Sequence, residues 1–133
     1  MSYRPGPLNL ITDVDGISIG NAHDEKVMSG VTVILPDPDA IASVDVRGGA
    51  PATRETDALD PSSLVESVHA VVLSGGSVFG LDSATGVTQW LSDHGRGFTF
   101  ATQPRACPVV PSACLFDILN GGDKAWGPTA PYR

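Results

Sequence analysis

Along the chain the apolar positions recur with two periods, and the point where one gives way to the other organises the rest. Residues 70–73 form an apolar, β-branched-rich run of the length of a buried strand. Ser74, Gly75, Gly76 and Ser77 interrupt it. Beyond them Phe79, Ala84, Val87, Trp90 and Leu91 fall on one helical face, which ends near His94 and Gly95. The pattern predicts a strand, a double-glycine turn and an amphipathic helix.

The flanking pattern is mostly of period two. Residues 17–20 read as a short strand and residues 30–35 as a second, stopped by Pro36, the two forming an antiparallel pair. Polar residues 23–26 read as the loop between them. Residues 40–46 alternate, with Ile41, Ser43 and Asp45 on one side and Ala42, Val44 and Val46 on the other, and predict a third strand ending at Arg47-Gly48-Gly49. Residues 48–60 read as a polar loop. Asp60 suits an N-cap and Pro61 a first helical position, so Leu64, Val65 and Val68 with Glu66 outward predict one short helix. Residues 97–101 and 109–118 read as further strands. Turn chemistry marks residues 12–16 and 37–39. Residues 1–10 read as a lead-in extended over another surface, and Gly/Pro-rich residues 119–133 as an irregular tail without period. No internal repeat is visible.

Length and charge narrow the function classes. The 133 residues bound the chain to one domain, long enough to bury a real core. Fifteen acidic against eight basic residues give a net charge of −7, which argues against a nucleic-acid partner. The opening MSYRPGPLNL has no apolar core of a signal peptide, and no apolar run approaches membrane-spanning length. Cys107 and Cys114 lie in what reads as extended chain, where seven residues span about 24 Å, too far for a disulfide. Free, buried thiols in a cytoplasmic protein are the expectation.

The candidate chemistry centres on the turn. A helix entered through glycines leaves first-turn amides that can meet an anion or oxyanion, and glycines let a ligand come close. Tight strand–helix packing is the other reading of the same glycines. The adjacent Gly75 and Gly76, with Gly80 four residues on, do not make a dinucleotide fingerprint, no lysine makes a P-loop, and Phe79 stands where a nucleophile elbow needs glycine. His23, His69 and His94 sit singly without metal-ligand spacing, and His94 suits the end of a helix dipole. Asp13 and Asp15 read as local caps, Asp37 and Asp39 as a solvated turn. Arg47 reads as a salt bridge at a strand end or a carboxylate binder. Ser77 reads as a cap or as a nucleophile lacking a sequence-evident base. The residues alone offer no complete catalytic set.

The stretches NLITDVDGISIGNAHDE, SGVTVILP, SVDVRGGAPATRETDALDP, VVLSGGSVFGLDSATGV, VPSACLFDI and GGDKAWG resemble, in order, the N-terminal part of the DmpA-type family. That family contains aminopeptidase/amidases acting on D-, L- and β-amino-acyl substrates and nylon-oligomer (6-aminohexanoate oligomer) hydrolases, and the chain looks most similar to the latter branch. The resemblance implies an N-terminal-nucleophile hydrolase whose precursor cleaves itself before a Thr or Ser. An α-amine titrates near neutrality and can serve as base for its own residue's hydroxyl. The implied fold is α/β, a four-layer α/β/β/α sandwich related to ornithine acetyltransferase. Residues 1–133 would be the N-terminal segment of that one domain. The nucleophile, its carboxylate partners and the active-site Lys and Asn of the family all fall beyond the position corresponding to Arg133, on another chain, in a further part of the gene product, or absent. The resemblance implies a second polypeptide carrying the Thr or Ser nucleophile, within a homo-oligomer of such units. The implied substrate is a small amide or peptide-like molecule; neither cofactor nor metal is implied. Under this resemblance Gly75, Gly76 and Ser77 line the pocket and support an oxyanion. Phe116 in ACLFDI takes the position of the family's oxyanion Tyr without its hydroxyl, so that Asn120 or an amide of the turn would substitute. Arg47 and Asp117 would support the site. Two rival functions stay open: a non-catalytic small-ligand binding or scaffold protein, and an acyltransferase on the related fold.

Overall fold

The computed structural model describes residues 3–102 and 104–126. Alternation builds a long hairpin first. Strands β1 (Ile17–Asp24) and β2 (Ser29–Pro36) pair antiparallel in an unbroken register from Ile17 opposite Pro36 to Asp24 opposite Ser29. The hairpin loop closes where the Val27 amide donates to the Asp24 carboxylate (2.9 Å) and Met28 turns to φ +54°. Strands β3 (Thr53–Arg54), β4 (Val71–Ser74) and β5 (Ser112–Cys114) complete a five-stranded sheet of order β1-β2-β4-β5-β3. Every pairing is antiparallel except β4 with β5.

The link between those parallel strands carries the helical layer. A 3₁₀ segment (Ser77–Asp82) leads into helix α1 (Ser83–Asp93), which stops at His94 and Gly95, the latter at φ +70°. The helix lies over one face of the sheet. Ala70, Val72, Ala84, Leu91 and Val110 are fully buried there, with Val31, Val33, Leu35 and Val87 packed around them. Burying a side chain of this size contributes about 1.5–3 kcal/mol, so this cluster dominates the fold's stability. The period-two rule shows on β4, where Val72 and Ser74 face the core while Leu73 between them is 47% exposed. The fold is therefore α/β, with one sheet layer and one helical layer among the described residues.

Several expected elements differ. β1 runs on to Asp24, so His23 and Asp24 are strand, not loop. Residues 40–46 make a single bridge, Ala40 with Val68, and Ile41, Val44 and Val46 stay exposed. A strand needs a neighbouring edge for its N–H and C=O groups, and none among the described residues runs beside this one. The helix expected after Asp60 is a turn. The Asp60 carboxylate takes the Ser62 amide and hydroxyl, and Leu64 stays 75% exposed, so burial does not favour a helix there. Residues 97–101 form only the bridge Phe98–Cys107, and residues 109–118 form a ladder only at β5. Pro108 and Pro111 have no amide to donate there, although Pro111 still accepts from the Val72 amide (3.1 Å). On the predicted helix face, Phe79 and Trp90 are half exposed. Phe79 meets Trp126 edge-on, and Trp90 stacks on His94.

The lead-in is not extended. Residues 6–13 coil around Asp13, whose carboxylate accepts the amides of Leu8 and Leu10, as a local cap should. Asp39 is more than a solvated turn residue: it pairs with Arg96 (2.9 Å) and lies 3.5 Å from Nε2 of the buried His69. Nδ1 of His69 accepts the Val109 amide, which fixes the histidine in a structural place. Cys107 is exposed and Cys114 half-buried, so the thiols are outside any disulfide as expected but not buried. Among the described residues no helix is long and apolar enough to cross a membrane.

Candidate functional site

The double-glycine turn is closely packed. Gly76 and Ser77 both adopt left-handed backbone, φ +84° and +54°. Glycine takes this conformation freely; serine there is strained and must be held by its surroundings. Gly76 is the N-cap of the 3₁₀ segment and Ser77 its first residue, so Ser77 is not the cap that its type suggests. A side chain on Gly75 would collide with the Ser29 hydroxyl and the Asp117 carboxylate, and one on Gly80 with the Gly75 carbonyl. Close packing of strand, turn and helix is therefore what these glycines permit.

The amides of the turn all have acceptors within the chain. Gly75 donates to the Gly30 carbonyl (2.8 Å), Gly76 to Asp117 Oδ1 (2.6 Å) and Ser77 to the Leu115 carbonyl (2.9 Å). In this arrangement the three N–H groups are not directed at an oxyanion. The residues after β5 run alongside the turn instead. Leu115 donates to the Ser74 carbonyl and accepts from Ser77, and Asp117 accepts from Gly76. Phe116, between those two anchored residues, is 72% exposed. A depression of about 330 Å³ adjoins the turn, lined by Thr32, Leu73, Gly75, Ala113, Cys114 and Leu115 among others.

Asp117 is the hub. Its Oδ2 accepts the Ser29 hydroxyl (2.6 Å) while Oδ1 holds Gly76. Partial burial works against the charge. The bonds from Ser29 and Gly76 and the nearby Lys124 ammonium outweigh it and hold the carboxyl below the usual carboxylate range. Burial, aided by the Asp117 charge, pushes the Cys114 thiol up.

Beyond Asp117 the chain is tied at Asn120, Asp123 and Lys124 to the loop end of the β1–β2 hairpin. Asn120 Nδ2 donates to the Met28 carbonyl (2.6 Å), Lys124 Nζ to the Val27 carbonyl (2.5 Å), and the Asp123 amide to the Lys26 carbonyl (2.9 Å). Asp123 also pairs with Lys26 at 3.1 Å. The part of the expected tail that is described is thus a strap; residues 127–133 lie outside the described residues. Asn120 is placed beside this cluster, but its amide nitrogen is directed at Met28. Arg47 is not brought to the turn: it pairs with Asp45 two residues away, its side chain 83% exposed. Ser29 and Lys124 were not singled out from sequence. A serine at a strand start and a lysine in a non-periodic tail carry no local signal of a partner 88 or more positions away.

Comparison with known proteins gives this arrangement its context. Residues 9–133 match the model of peptidase family S58. An uncharacterized aminopeptidase of Mycobacterium leprae is 45% identical over 140 aligned residues, covering 99% of this chain, and one of Mycobacterium tuberculosis is 44% identical over 137, covering 94%. A 6-aminohexanoate-oligomer endohydrolase of Kocuria sp. is 32% identical over 130 residues, also covering 94%. The chain spans 38% of the length of the two mycobacterial relatives and 34% of the Kocuria one. The match extends from the β1–β2 hairpin through the glycine turn to the strap, and on that extent the chain belongs to peptidase family S58, the DmpA family.

Proposed function

We propose that this chain forms the N-terminal portion of the α chain of a self-processed amide hydrolase, an aminopeptidase/amidase or nylon-oligomer hydrolase. The observation that carries the reading is the family match over residues 9–133, with named amide-bond hydrolases among its relatives. In this reading a Thr or Ser on a separate β segment is the nucleophile. Its freed α-amine takes the hydroxyl proton as the oxygen attacks the amide carbonyl; the proton then passes to the leaving amine, and water later releases the acid. The present chain supplies sheet, helix and one wall of the pocket. Gly75, Gly76 and Ser77 shape that wall, exposed Phe116 stands on it, and Asp117 supports it. Asn120 stays in the reading as a donor only if its amide turns from Met28 when the β segment is in place. Exposed Leu73 and its neighbours on the open sheet face fit a second sheet, as a four-layer sandwich requires. The units assemble into a homo-oligomer, and two thiols outside a disulfide suit a cytoplasmic setting.

The test is the intact mass of the denatured full-length gene product, followed by assay on an amino-acyl p-nitroanilide and a linear 6-aminohexanoate oligomer. Two polypeptides, the second beginning with Thr or Ser, together with released amine are expected. A single uncleaved polypeptide without turnover would overturn the reading. Two observations favour the rival, a non-catalytic binding protein: the turn's amides are already engaged, and Phe116 has no hydroxyl. That protein would bind amides without releasing amine.

A further inference from the structure

We propose that Asp117 is the positioning residue of this site: its carboxylate clasps the glycine turn to the start of β2 and thereby sets where Phe116 stands. The catalytic consequence rests on the amide-hydrolase reading; the clasp does not. Two segments remote in sequence converge on this one side chain. Ser29 lies 88 positions away and Gly76 41, each donating at 2.6 Å to a different carboxylate oxygen. The turn needs such a hold, because Ser77 sits in left-handed backbone at φ +54° and Gly75 leaves no room for a side chain between Ser29 and Asp117. Phe116 is fixed on both sides, by Leu115 bonded to Ser74 and Ser77 and by Asp117 bonded to Gly76. A carboxylate suits the place because both neighbours are donors and it is acceptor-only. The charged groups around it are the Lys124 ammonium and, when ionised, the Cys114 thiolate. An asparagine would keep the geometry and lose the charge: Oδ1 still accepts from Gly76, and Nδ2 donates to the Ser29 hydroxyl, which can accept as well as donate.

The experiment compares wild type with Asp117→Ala, Asp117→Asn and Ser29→Ala in the full-length protein. The readouts are hydrogen exchange at the Gly76 amide, and kcat and KM on L-alanyl p-nitroanilide or a linear 6-aminohexanoate oligomer. Asp117→Ala is expected to speed Gly76 exchange about tenfold or more. It is expected to lower kcat about 10- to 100-fold with little change in KM. Asp117→Asn is expected to restore both to within about threefold, which a residue serving bulk stability alone would not do. Ser29→Ala removes one arm, leaves a folded protein if Asp117→Ala does not, and is expected to fall between. A Gly76 amide unprotected in wild type, or Ser29→Ala matching wild type on both readouts, overturns the clasp. Lost protection with unchanged kcat overturns its role in positioning. If exchange follows the expected order while wild type hydrolyses neither probe, the amide-hydrolase reading falls and the clasp stands.

Discussion

The core beneath α1 and the strap over residues 115–126 are held by opposite means. In the core, Val72, Leu91 and Val110 are fully buried in one apolar cluster with Ala70 and Ala84. In the strap, Leu115, Phe116 and Leu119 are 71–83% exposed, and attachment comes from polar tethers to Ser29, Met28, Val27 and Lys26. Apolar burial is non-directional and tolerates small shifts. Hydrogen bonds to fixed carbonyls are directional, so they define position even where they add little stability. The region that stabilises the chain is therefore not the region that sets the geometry beside the turn.

Four measurements break or sharpen this contrast. The largest effect is expected from one residue type in the two settings. Leu91→Ala should destabilise by about 2–5 kcal/mol in urea unfolding, while Leu119→Ala in the strap should stay within about 0.5 kcal/mol. Equal losses would erase the distinction. Next, Phe116→Tyr should leave the unfolding midpoint unchanged and raise kcat about tenfold if a hydroxyl there reaches the developing oxyanion; a drop in kcat would mean that the aromatic wall matters more than a donor. The third is acid. The Asp117 and Asp123 carboxyls are both held below the usual carboxylate range, Asp123 by the Ala125 amide and Lys26. Their contribution is complete above the ordinary carboxylate pKa of about 4. It declines as pH falls beneath that value and is gone below their folded-state values. Protection from exchange in residues 117–126, taken relative to the intrinsic rate at each pH, should fall on acidification before protection in α1 does, and Asp117→Asn should blunt the fall. The smallest effect belongs to Lys26→Ala, whose side chain is 81% exposed. It should leave global unfolding unchanged and speed exchange only around Asp123.

What the sequence disclosed follows the same division. The β1–β2 pair was legible because alternating apolar side chains mark a sheet face, and the strand–turn–helix unit because the period changes at Gly75 and Gly76. The fold class and family were legible in the ordered motifs. Residues 40–46 alternate just as clearly, yet among the described residues only Ala40 finds a β-bridge partner, since alternation marks a capacity to pair and not the presence of an edge. Asp60 and Pro61 look like a helix start, but the Asp60 carboxylate closes a turn on Ser62 and Leu64 stays exposed. The strap was illegible for a deeper reason. Its tethers join residues far apart in sequence, and two of them, from Asn120 and Lys124, end on backbone carbonyls, which have no residue type to recognise. Asp117 lies within the resembling stretch VPSACLFDI, whereas nothing in SGVTVILP marks Ser29 as its partner.

The parallel pairing of β4 with β5 carries a consequence for how the chain is made. The β1–β2 hairpin can zip as soon as it leaves the ribosome, since its partners are near neighbours in sequence. β4 can then add to β2, but its other edge pairs Val72 with Ser112 and has no partner until the intervening helix and β5 have been synthesised. Closing that long loop comes late, and β3 waits on the same event because, among the described residues, its strand partner is β5. During elongation the exposed edge of β4 is the place where a nascent chain is open to wrong partners, and it is where a translational pause or a chaperone would have the most influence.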